Sequence, residues 1–125
     1  MTQFDPISDA TPADLESLNG AELTTVTVWK FGVSLKFGDE LGTLTVESNA
    51  EFRSQGRTEL YNQELIVAFG ARVLSLVGRC VVDVARGEDK TLSLDFDEGT
   101  RLTIRPDVSG YESYQLDFAG RLMTG

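Results

Sequence analysis

Two stretches of this chain match each other at a spacing of roughly 58 residues, and that match constrains the fold more than any other feature. Leu18-Asn19-Gly20 aligns with Leu76-Val77-Gly78, and Leu23 and Val26 with Val81 and Val84. Val33, Leu35 and Phe37 align with Leu92, Leu94 and Phe96, and Gly42, Leu44 and Val46 with Gly99, Leu102 and Ile104. Any two strand meanders alternate. The shared Leu-x-Gly punctuation and the Phe before each turn are more specific, and they point to an internal duplication. A half of about 60 residues buries too little surface to fold well alone. The halves are therefore expected to pack about an approximate two-fold axis, as one curved sheet or as two facing sheets.

Local patterns give each half its elements. Thr11-Pro12-Ala13-Asp14 reads as a capped helix start, with Leu15 and Leu18 on one face, which predicts a short helix at about 12–18. From Leu23 to Trp29 the chain is rich in Thr and Val. The period-two sets Val33/Leu35/Phe37 and Leu44/Val46 follow, as half-buried strands require. Phe52 starts a further strand before a Gln55-Gly56 turn. Residues 62–76 place Leu65, Ile66, Phe69, Val73 and Leu76 at helical spacing, with Gly70 as a weak point. Strands return at Val81–Ala85, Leu92–Phe96, Leu102–Ile104 and Tyr111–Phe118, with a turn at Asp97–Thr100. The predicted class is α+β: two pseudo-symmetric α-β-β-β halves forming one antiparallel-sheet domain. Residues 1–10 form a tail, and 11–125 one domain with repeats at about 11–61 and 62–120. The length of 125 residues fits a single core.

Charge narrows the partners. Twenty acidic residues against eleven basic ones give a net charge of −9, which argues against nucleic acid or an anionic membrane and favours solubility or association with a basic protein. No histidine is present, which removes the commonest general base and metal ligand together with Ser-His-Asp and Cys-His catalysis. Cys80, alone in the sequence, lies in an apolar run and is expected to be buried and inert, in a reducing compartment. Met1–Ala10 lacks the basic and apolar parts of a secretion signal, so the expected location is the cytoplasm. No phosphate-binding glycine loop occurs, no cofactor or metal is expected, and Trp29 reads as core or cross-strand packing.

Two segments carry residues suited to contact. Asp95 and Asp97 alternate with core positions and face outward beside Glu98 at a turn. The stretch from Pro106 to Tyr114 combines a loop with Asp107, Tyr111, Glu112 and Tyr114, residue types that give contact area and charge complementarity. Leu102-Thr103-Ile104-Arg105-Pro106-Asp107 followed by Tyr111-Glu112-Ser113-Tyr114 resembles the signature of a small bacterial family of unknown function. Its pattern is a Leu-x-Gly-x-x-Val start, a Leu-x-Phe-x-x-Gly-x-x-Leu hairpin, then Pro-Asp and Tyr-Glu-x-Trp or Tyr-Glu-x-Tyr. Gly78, Phe96, Gly99, Leu102, Pro106, Asp107, Tyr111, Glu112 and Tyr114 occupy those positions, mainly within 76–118. Tyr114 stands where tryptophan is commoner, and Ser109-Gly110 is extra. The resemblance implies a fold and no activity.

Some small acidic bacterial proteins of this build are immunity proteins of toxin systems. By that analogy the expected function is a non-enzymatic, immunity- or antitoxin-like protein that covers a basic toxin surface with Asp95, Asp97, Glu98, Asp107, Tyr111, Glu112 and Tyr114. The alternative is a scaffold or assembly component that self-associates through strand edges. A third reading, an enzyme using carboxylates and tyrosines, requires a deep pocket holding several acids.

Overall fold

The computed structural model describes residues 5–6, 17–38, 42–47, 49–87, 90–105, 114–118 and 121–124. The chain forms β1 (Asp5–Pro6), β2 (Leu23–Trp29), β3 (Gly32–Phe37), β4 (Gly42–Val46), β5 (Ala50–Ser54) and β6 (Arg57–Tyr61). Then come one helix, α1 (Ile66–Val73), and β7 (Val81–Arg86), β8 (Leu92–Phe96), β9 (Thr100–Ile104), β10 (Tyr114–Phe118) and β11 (Arg121–Thr124). The strands build two sheets, β1-β11-β10-β4-β3-β2 and β6-β5-β9-β8-β7. All pairings are antiparallel except β1 with β11. The α+β class is therefore observed, in its two-sheet form.

Alternation decides which face is buried. Val33, Leu35, Phe37, Leu44 and Val46 of the first sheet and Leu92, Leu94, Phe96, Leu102 and Ile104 of the second join one core. Each such side chain contributes about 1.5–3 kcal/mol on full burial. The rings of Phe37 and Phe96 stack at 6.4 Å, joining the two sheets.

The meanders β2-β3-β4 and β7-β8-β9 share their register. Leu23 pairs with Phe37 and Val81 with Phe96. Each pairing is followed by a bulge, at Leu23/Thr25 and at Val81/Asp83. The segments before them bond reciprocally: Gly20 N–H donates to the Val81 carbonyl at 2.6 Å and Gly78 N–H to the Leu23 carbonyl at 2.8 Å. Gly20 and Gly78 both hold left-handed φ, 85° and 93°, which a side chain would strain. In register terms the counterpart of Gly42 is Thr100 and not Gly99, since these two pair with Phe37 and Phe96.

The hairpin after each meander crosses to the other sheet. β5 leaves β4 and pairs with β9, carrying β6 as the edge, whereas β10 leaves β9 and pairs with β4, carrying β11. Neither sheet belongs to one half alone.

Helix α1 closes the gap between the sheets. Its buried side, Ile66, Phe69, Gly70 and Val73, lies against the core. Asn62 caps the preceding 3-10 turn, its side chain accepting from Leu65 N–H at 3.1 Å. Gly70 does not break the helix. A Cβ there would sit 2.5 Å from a Val28 methyl, so glycine permits the close approach of helix to sheet. The helix expected at 12–18 lies largely outside the described residues, and Ser17–Gly20 form a turn. Trp29 is an edge residue, 38% exposed, with its ring over Gly32. Cys80 is half-buried, so its thiol is less enclosed than its apolar neighbours suggest. No helix of the described residues is long and apolar enough to cross a membrane.

Candidate functional site

Two hairpin turns of the second sheet stand side by side. Ser54 pairs with Arg57, which leaves Gln55-Gly56 as a two-residue turn with φ of 52° and 77°. These signs define the primed turn that matches strand twist. In the β8–β9 turn, Glu98 and Gly99 are also left-handed, at 63° and 84°. Between the turns opens a cleft of about 740 Å³, lined by Arg53, Gln55, Val82, Asp97, Glu98 and Arg101 among others.

The register places the charges around it. Asp83, Asp95, Arg101 and Arg53 are successive cross-strand partners, a row on the outer face of the sheet. Arg101 donates to Asp95 from Nε at 2.6 Å and from Nη2 at 3.1 Å, a forked pair. The Asp95 hydrogen bond holds the Arg101 guanidinium still further above its high ordinary range. Arg79 holds Glu98 at 2.9 Å, and Glu98 remains 71% exposed. Asp97 turns inward. Its Oδ2 accepts weakly from Cys80 N–H at 3.4 Å, and its enclosed Oδ1 has no hydrogen-bond partner among the described residues. Oδ1 is thus an enclosed polar atom left unsatisfied, a costly arrangement. Asp95 and Glu98 are held in place by the chain's own arginines, and the rim offers both signs of charge.

Asp95, Asp97 and Glu98 are therefore brought together at one cleft. Asp107, Tyr111 and Glu112 lie outside the described residues. Tyr114 requires a correction. It belongs to β10 in the first sheet, is 1% exposed, and its hydroxyl donates to the Lys90 carbonyl at 2.7 Å. Inward alternation in β10 buries its ring, so it supports the core and has no face to offer a partner.

Sequence reasoning missed Asp83, Val82, Arg53 and Arg101. The bulge turns both Val82 and Asp83 outward, which strict alternation does not foresee. Arg53 joins the row through the pairing of β5 with β9, whereas Arg101 faces Asp95 within the β8–β9 hairpin itself.

A second cluster holds α1 to the second sheet. Arg72 Nε donates to Glu59 Oε1 at 2.8 Å, Tyr61 donates to the same oxygen at 3.0 Å, and the Arg72 guanidinium lies over Phe52. These hydrogen bonds, that of Arg72 first, lower the Glu59 pKa below the usual glutamate range. Burial, followed by the Glu59 contact, raises the Tyr61 phenol. Among the described residues no three His, Cys, Asp or Glu are grouped to hold a metal ion.

These features define an acidic two-sheet α+β domain with a pre-organised, mixed-charge cleft on one sheet. Its sequence matches a described family over residues 14–122. The chain belongs to DUF6188, a family of unknown function. No curated protein and no solved structure matches it.

Proposed function

We propose that this chain is a non-enzymatic binding domain of immunity or antitoxin type, whose cleft receives a basic segment of a partner protein. The observation that carries the reading is the largely exposed Glu98 on the cleft rim, with Asp83 outward in the strand row beside it, opposite Asp95. With a net charge of −9, the surface steers a cationic partner by long-range attraction. Arg79 and Arg101 fix Glu98 and Asp95, so little side-chain freedom is lost when a partner's lysine or arginine joins the pairs. The same pairing suits docking better than proton transfer, because both acids already serve as ion-pair acceptors. Exposed Val82 adds apolar contact at the cleft wall.

The test is the double charge reversal Asp83→Lys with Glu98→Lys. It should slow association with a captured basic partner at least tenfold and flatten the salt dependence. Unchanged binding would remove the cleft from the account.

The two halves are read as one duplicated unit. Support comes from the shared bulges, the reciprocal bonds of Gly20 and Gly78, and the paired registers. The scaffold alternative is favoured by a separate feature, the outer side of α1, which carries no carboxylate.

A further inference from the structure

Helix α1 is apolar on both sides. Its inner side fills the core, yet Val67 and Leu74 are 52% and 50% exposed, with Leu65 and Val77 similarly open. Ala71, also exposed, lies between Val67 and Leu74 at spacings of four and three, so the three residues form one stripe. From Leu65 to Val77 the only charged residue is Arg72, and Glu59 holds it. A helix that is apolar all round is ordinarily covered.

We propose that a second copy of this chain covers the stripe, with the two α1 helices antiparallel and crossing at Ala71. The stripe is complementary to itself about that point. A small residue sits at the centre, with Val67 on one side and Leu74 on the other, so Val67 of one copy meets Leu74 of the other. Charge permits self-association at this face. Two copies at −9 each repel wherever carboxylates meet, and the segment from Leu65 to Val77 contains none. The start of the chain is engaged elsewhere: Asp5–Pro6 pair with β11, at the sheet edge opposite β2, whereas Gly70 of α1 abuts Val28 of β2. The stripe is smaller than the roughly 800 Å² per partner of a standard interface, so the dimer is reversible and concentration-dependent. This surface is independent of the cleft and gives the scaffold alternative a definite form.

Sedimentation velocity on the full chain tests it, between about 1 and 500 µM. The expected result is a monomer that shifts to dimer as concentration rises. Leu74→Asp or Val67→Asp should move that shift at least tenfold upward while far-UV circular dichroism stays unchanged. Cross-linking guards against a variant that misfolds. Packed helix axes lie about 8–10 Å apart, which brings two facing Ala71 Cα atoms within disulfide span. Ala71→Cys with Cys80→Ser should therefore oxidise to a covalent dimer, and Asp83→Cys with Cys80→Ser should stay monomeric. A chain that remains monomeric throughout, a dimer indifferent to Leu74→Asp, or cross-linking at position 83 instead of 71 would overturn the proposal.

Discussion

The Tyr114 hydroxyl meets the Lys90 carbonyl from inside the molecule, and removing that contact has a calculable cost. Tyr114→Phe keeps the ring and leaves the carbonyl short of a donor. Urea unfolding should show a loss of about 1 kcal/mol. Partner binding should not change, since the ring is buried. Gln55 poses the opposite case. Its φ of 52° suits asparagine far better, and Gly56 already follows it. Gln55→Asn should therefore raise stability by up to about 1 kcal/mol, read from the same unfolding curves. No gain would mean that the turn carries little strain. At this scale the sequence revealed the turn, while Asp97, expected to face outward beside Asp95, turns its carboxylate inward to Cys80 N–H. The inward position of Tyr114 was legible too, since it alternates in phase with Leu116 against Gln115 and Asp117, but reading it as a contact residue passed over that alternation.

Packing overrides local preference in α1. Alanine exceeds glycine in helix propensity by about 1 kcal/mol, yet Gly70→Ala should destabilise, by about 1–3 kcal/mol net of that gain, because the Cβ would collide with Val28. A rise in thermal midpoint would contradict the packing argument. The Glu59–Arg72 contact at the helix flank gives a pH dependence. The folded pKa of Glu59 is lowered, so its stabilisation is present above the ordinary glutamate pKa and is lost as pH falls through the folded value. Glu59→Gln should flatten the acid limb of the stability profile, and an unchanged limb would remove Glu59 from that limb. Most elements were legible because apolar residues alternate or recur at helical spacing. β11 was not expected, and β6 was not separated from the turn before it. The bulges at Thr25 and Asp83 were hidden, since a bulge is a property of the pair of strands.

Across the whole molecule, each three-strand meander is completed by the hairpin from the other half. Fragments 1–61 and 62–125 should therefore lack a cooperatively folded monomer when separate and recover native dispersion in NMR spectra when mixed. A fragment that folds alone would contradict the crossed pairing. The matched spacing in the sequence led to the expectation of two similar meanders, and two of like register are present. It could not announce the crossing, because strand sequences do not specify which sheet a hairpin joins. The same gap hid Arg53 from the site, whereas Arg101 stands opposite Asp95 within the β8–β9 hairpin. The crossing adds Arg53 and the Gln55-Gly56 turn to one wall of the cleft.

The most direct test of that cleft is a paired capture from cells that natively make the protein, using tagged wild type and the Asp83→Lys, Glu98→Lys variant. The account predicts a basic protein held by wild type at near one-to-one ratio and lost by the variant, with circular dichroism unchanged. The same partner retained by both, or wild type recovering only itself, would contradict it.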